Sequence, residues 1–332
     1  MSWQCSRTHT VRRRTGAKWS NVAERIRIGV LGGRSWIANA AVLPAIAECA
    51  VAQVGSVGSR SGSVSYADVL ADPSIDAVYI ALPNQMHLEW VQRSAEAGKH
   101  VLCEKPLACN VAEVEAMAAA CHAAGVVLAE AYMTPFHPRS VAIARRIAAG
   151  DIGEVCHIDT QFSFTLADAP NYRWQPEHGG GALLDVGVYC LAPLVQALGP
   201  DSVVVGARQR VAATGIDTTT SAMIAWPQGA TASVLMSFEL PERQWMHLAG
   251  TNGSLAVERP FTPGPNDAEF VITRPDGTIE RHGADGGNCY LGMIEAFADA
   301  VRARAPWPRA IGDVIDVVSL SDKIRTAAGS AR

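Results

Sequence analysis

The 332-residue chain lacks any run of 18 apolar residues free of charge, and its nearest approach, 40–58, is broken by Pro44, Glu48 and Gln53. That argues against a membrane-spanning helix. None of the eight cysteines (Cys5, Cys49, Cys103, Cys109, Cys121, Cys156, Cys190, Cys289) belongs to a CxxC pair. Zinc-ribbon and thioredoxin-type sites therefore lack their spacing, no metal is expected, and reduced thiols point to a cytoplasmic setting. His87-Leu88-Glu89 has the HxE form of zinc deaminases, but no PCxxC follows it. No apolar segment follows the basic N-terminus, which excludes a secretory signal of the usual kind. Glycine (29) and proline (18) stand near ordinary usage, so collagen-like and low-complexity classes are out. Charged residues are 18% of the chain and the formal net charge is −4. Arg7, Arg12, Arg13, Arg14 and Lys18 face no acid within residues 1–20, so the rest is more acidic than the whole. A net acidic body does not displace the counterions of a nucleic acid. Residues 1–24 read as a disordered, solvated basic arm.

What is present is core material. Apolar residues make up 48%, and the length is that of about two domains. Over 25–134 short apolar runs alternate with helical stretches: strands at 26–31, 51–57, 76–82, 100–103 and 126–129, helices at 37–47, 85–97 and 110–124. Asn110 with Glu113 three residues on forms a capping-box pattern. This rhythm predicts right-handed βαβ units and a doubly wound parallel sheet of Rossmann type. Over 135–332 the rhythm changes. Helices are expected at 138–149, 182–198, 290–304 and 313–327. Alternating runs at 154–164, 218–226, 231–238, 244–248, 254–257 and 269–273 predict a large, mostly antiparallel sheet in an α+β domain.

Gly29, Gly32 and Gly33 end the first strand ahead of a helix, the context in which backbone N–H groups hold a pyrophosphate. Strict GxGxxG spacing is missing, and an ordinary tight turn fits the glycines equally well. The second strand ends in Gly58-Ser59-Arg60 with no acid between Cys49 and Tyr66. An acid there accepts from a ribose 2′-hydroxyl, whereas an arginine accommodates a 2′-phosphate. Ser59, Arg60 and Arg34 thus favour NADP over NAD. The expected cofactor set is Gly32, Gly33, Arg34, Trp36, Ile37, Ser59, Arg60, Leu82, Pro83, Asn84, His87, Glu104 and Lys105. Asn84 also suits a helix cap.

In such sheets the ligand crevice opens at the carboxyl ends of the strands where strand order reverses, expected here beside the first and fourth strands. Glu104-Lys105-Pro106 follows the fourth, so Lys105 should enter that crevice. In the helix after Gly179-Gly180-Gly181, Asp185 and Tyr189 are four apart and share a face. An ammonium beside the phenol should lower its pKa and let Tyr189 exchange a proton with an alcohol or ketone while hydride moves.

These residues resemble the Gfo/Idh/MocA oxidoreductase family over roughly 26–327. The carriers are IRIGVLGG (26–33), IDAVYIALPNQMH (75–87), GKHVLCEKPLA (98–108), AEAYMTPFHP (129–138) and GGGALLDVGVYCL (179–191). The pattern is most similar to the branch of NADP-dependent aldose 1-dehydrogenases and dimeric dihydrodiol dehydrogenases. The resemblance implies catalytic Lys105, Tyr189 and Asp185, and His137, Arg173 and Trp174 near the substrate. It further implies a homodimer or homotetramer formed through the open sheet, and hydride transfer between NADP and a small sugar or cyclic diol. The chain departs from the family in two places. The glycine turn is one residue longer, and the crossover over 60–75 has about 15 residues where relatives carry a helix of about three turns. A thinly covered sheet face is therefore expected beside the adenine site. One other reading follows from that, a sugar-binding or regulatory relic with a damaged cofactor site; a third, independent of it, is an NAD-linked glycosidase using transient redox, against which Ser59-Arg60 and Tyr189 speak.

Overall fold

In the computed structural model residues 25–167 and 171–330 are described, and the basic arm at 1–24 lies outside them. Strands β1 (Ile26–Leu31), β2 (Ala52–Gly58), β3 (Ala77–Ile80), β4 (His100–Glu104) and β5 (Leu128–Ala131) form a parallel sheet in the order β2-β1-β3-β4-β5. Helices α1 (Leu43–Glu48), α2 (Tyr66–Ala71), α3 (His87–Glu96) and α4 (Val111–Ala124) connect them. β1, β3, β4 and β5 are almost wholly buried, which is why they read as solid apolar runs. Asn110 caps α4 as expected, its Oδ1 accepting from Glu113 N at 3.0 Å.

Three expectations for this half are corrected. Strand order reverses between β1 and β3, so β4 with its Lys105 loop stands one strand further out than expected. The helix expected over 37–47 opens as a π-helical turn, Ala38–Val42, before α1. A π turn holds more residues than an α turn.

The short crossover is not bare. Ser65 and Asp68 form a capping box: the Ser65 side chain accepts from Asp68 N, and the Asp68 carboxylate accepts from Ser65 N at 2.8 Å. The box starts the six-residue α2, whose Val69 is fully buried. Glycines let α2 settle onto the sheet. A Cβ on Gly29 would stand 2.4 Å from Val69 Cγ1, and one on Gly55 would stand 2.1 Å from Ile75 Cδ1. Close approach replaces length, and the thinly covered face is filled.

The second half holds α5 (Pro138–Ala148), β6 (Val155–Ser163) and α6 (Ala182–Leu198). It continues with β7 (Val203–Val211), β8 (Asp217–Ala225), β9 (Thr231–Ser237), β10 (Arg243–Gly250), β11 (Gly253–Glu258), β12 (Glu269–Thr273) and β13 (Ile279–Gly283). The eight-stranded sheet runs β13-β12-β11-β10-β6-β9-β8-β7 and is antiparallel except at β6–β9. The expected runs did not include β7 or β13. Buried α6 covers one face; on the other, Asp159, Ser233 and His247 are half-buried and Met223 is exposed. Helices α7 (Cys289–Val301) and α8 (Ile311–Ser330) end the chain. Val314 and Val318 of α8 share a core with Met117 and Cys121 of α4, while Val317, Leu320 and Ile324 belong to the larger core that runs through both halves.

Candidate active site

The glycine turn is built by close approach. Gly32 has φ 110°, and a Cβ there would stand 2.3 Å from Ala81 O. Its N–H and that of Gly33 donate to Gly58 O at 3.2 and 2.9 Å. The glycines thus fasten β2 and do not supply the anion-binding N–H groups expected of them. The first helical turn, around Trp36 and Ile37, is where helix geometry leaves N–H donors without intrahelical partners. Arg34 and Arg60 are exposed, and their guanidinium groups have no partner among the described residues. Ser59 stands beside Arg60 in the turn closed by Ser59 N donating to Val64 O. Two free cations at the carboxyl edge of β1 and β2 suit a phosphate-bearing dinucleotide.

Lys105 leaves the end of β4 and Asp185 lies in the first turn of α6, 80 residues later. Lys105 Nζ donates to Asp185 O at 2.7 Å and Oδ1 at 3.2 Å. The other carboxylate oxygen, Oδ2, accepts from Arg173 Nε at 2.7 Å. Burial alone would raise the Asp185 pKa, but the two cations outweigh it and hold the carboxyl at about 2. The Lys105 ammonium also stands over the Tyr189 ring, 4.8 Å from its centroid.

The amine and the phenol therefore meet, but not as expected. Lys105 addresses the ring face, while the Tyr189 hydroxyl makes a weak bond to Met133 Sδ at 3.8 Å. The phenol's pKa is not lowered. Burial pushes it well above the ordinary value, and Glu104 and Asp185 add to that. The phenol therefore keeps its proton.

Other expected site residues have other work. Glu104 is buried and accepts from the Tyr79 hydroxyl at 2.7 Å. Asn84 and His87 are buried and spend their polar atoms on Gly179 O and on the carbonyls of Leu82, Pro106 and Leu107. Leu82 and Pro83 lead into that turn. His137 is fully buried and caps α5, its Nδ1 accepting from Arg139 N, and is not among the groups bonded to Asp185. Trp174 packs on Phe238 with ring centroids 6.3 Å apart and donates to Ala167 O.

Sequence reading missed the aromatic wall. Tyr132, Phe162 and Phe261 surround Tyr189 with ring centroids 5.7, 5.2 and 6.1 Å away. It missed Glu130 too, at the end of β5, which accepts from Leu107 N at 2.9 Å and pairs with Arg309. An acid inside the apolar run 126–131 was the available signal; Arg309 gave none.

Residues 33–132 match the oxidoreductase family with an NAD-binding Rossmann fold, and residues 141–256 match the GFO/IDH/MocA C-terminal domain. The chain is similar to D-xylose 1-dehydrogenase (NADP(+)) 2 of Haloferax volcanii, 37% identical over 76% of this chain and 78% of that protein. It is 33% identical to the dTDP-3,4-didehydro-2,6-dideoxy-alpha-D-glucose 3-reductase of Streptomyces violaceoruber, over 91% of this chain and 95% of the other. Among solved structures, a 3-ketoreductase from Actinomadura kijaniata in complex with NADP and TDP-benzene superposes with TM-score 0.86 at 30% identity, covering 92% of this chain and 98% of that one.

Proposed function

Because the chain belongs to the Gfo/Idh/MocA oxidoreductase family, we propose that it transfers hydride between NADP and a hydroxyl or ketone carbon of a small sugar. The observation that carries this is the convergence of Lys105, Asp185 and Tyr189 at the carboxyl edge of the parallel sheet. The NADP-linked names of the similar dehydrogenase and ketoreductase support it. Arg34 and Arg60 with Ser59 would hold the 2′-phosphate, and the N–H groups near Trp36 and Ile37 the pyrophosphate. NADP, when bound, supplies or accepts the hydride. The protein's own share is the proton. A neutral phenol is a donor, so Tyr189 protonates the oxygen of a ketone in the reductive direction. Lys105, held by Asp185, places positive charge where negative charge develops on that oxygen. The buried rings of Phe162, Phe261 and Tyr132 pack on the Tyr189 ring and hold the phenol in place.

The relic reading rested on a bare sheet face, which α2 fills. No described helix is long and apolar enough to cross a membrane. The described cysteines are free, which suits a reducing, cytoplasmic setting. The uncovered face of the large sheet is the surface through which we place a homodimer or homotetramer.

Purified protein with NADPH and a panel of keto-sugars, or with NADP and aldoses, is expected to change absorbance at the nicotinamide band. Folded protein silent across the panel in both directions would refute the reading. Lys105→Met is expected to lose at least about 100-fold in kcat while still binding NADPH; retained turnover contradicts the role given to the lysine.

A further inference from the structure

A short turn, Asn84–Met86, leads from β3 into α3, and the side chains of Asn84 and of His87, the first residue of α3, reach the two halves of the site. Asn84 is 3% exposed, and its Nδ2 donates at 2.8 Å to Gly179 O, in the glycine turn that opens into α6. The fit is close: a Cβ on Gly179 would stand 2.9 Å from both Asn84 Cβ and Cys109 Sγ. Three positions on, His87 is fully buried. Its Nδ1 stands 3.0 Å from Pro106 O and 3.2 Å from Leu107 O, in the loop that carries Lys105. Its Nε2 stands 3.0 Å from Leu82 O. Burial pushes the ring toward its neutral form, which has one N–H. Two carbonyls face Nδ1 against one at Nε2, so a proton on Nδ1 serves more acceptors than one on Nε2; it would be donated to the lysine loop and leave the Nε2 lone pair facing Leu82 O.

We propose that Asn84 and His87 form a two-armed clasp: positioning residues that fix the Lys105 loop and the Tyr189 helix relative to one another. Neither touches the reacting atoms. The Lys105–Asp185 bonds of 2.7 and 3.2 Å hold only if the loop after β4 and the first turn of α6 keep a fixed separation. No segment links those two directly in sequence. The segment 84–87 grips both, one by each arm, and a displacement of about 1 Å at such a site costs about 100-fold in rate.

The activity readout rests on the hydride-transfer reading; the exchange readout does not. Asn84→Asp keeps the size and removes the N–H. His87→Asn places an amide nitrogen where Nδ1 stands, and His87→Gln places one where Nε2 stands. Asn84→Asp and His87→Gln are expected to lose about 30-fold or more in kcat, with NADPH affinity by fluorescence titration within about threefold of wild type. His87→Asn is expected to stay within about fivefold of wild type in kcat. Gly179→Ala wedges the same junction from the other side and is expected to reproduce the Asn84→Asp loss. Amide hydrogen exchange should quicken at 180–185 in Asn84→Asp and at 105–108 in His87→Gln. The clasp is overturned by unchanged kcat in Asn84→Asp or Gly179→Ala, by a kcat loss matched by lost NADPH affinity, or by His87→Gln performing as well as His87→Asn. If wild-type protein turns over no sugar, the hydride-transfer reading fails by itself. Unchanged exchange at the two far segments then still overturns the clasp.

Discussion

Asp185 has both carboxylate oxygens engaged by cations, and the consequence is a dependence on pH. Its carboxyl is held at about 2 against an ordinary 3.8. A group whose pKa is lowered by folding contributes stability above the unfolded value and loses it as pH falls through the folded one. The contribution, about 2 kcal/mol, is expected to be complete above about pH 4 and lost toward pH 2. Thermal melts of wild type and Asp185→Asn should therefore differ at neutral pH and converge as pH approaches 2. At the other end of the crevice, Arg60→Ala is expected to raise the KM for NADP by about tenfold, the loss of one charge-assisted bond, and to leave that for NAD nearly unchanged. Equal effects on the two cofactors would remove Arg60 from the 2′-phosphate site. Lys105 and Asp185 were legible because strand-end position and four-residue spacing are written in the sequence. The acidity of Tyr189 was not. Its direction is set by burial among Tyr132, Phe162 and Phe261, which come from segments far apart in the chain.

Long periodic elements such as α4 and α6 were legible in outline, since caps, glycine stops and apolar faces mark their ends. The six-residue α2 was not. Its existence depends on glycines of β1 and β2 that leave room for Val69 and Ile75, a fit between segments and not a property of residues 66–71. Gly29→Ala is expected to cost about 1–3 kcal/mol through the clash with Val69, read as a lowered Tm. It should also weaken NADPH binding if α2 steadies the turn after β2. An unchanged Tm would show that α2 moves aside freely. The π turn at Ala38–Val42 was invisible for a different reason: apolar periodicity registers a helix but not the hydrogen-bond register within it.

At the scale of the whole molecule, the two-part architecture was readable from the change of rhythm near residue 134. The order of strands was not, because it depends on which neighbours pair across crossovers of similar length. The open face of the large sheet carries Met223, 52% exposed, amid half-buried polar residues. Met223→Glu is expected to shift the protein toward monomer in light scattering if copies associate through this face; an unchanged mass would place the contact elsewhere. α8 has a further effect, because its valines are divided between a core shared with α4 and the larger core that also holds α6, and the segment before it delivers Arg309 to Glu130. A hinge-like yawning of the crevice would strip Val314 and Val318 from α4, at about 1.5–3 kcal/mol apiece, and break a buried ion pair as well. The two lobes are bolted shut at the back, so traffic of small molecules must pass through the rim.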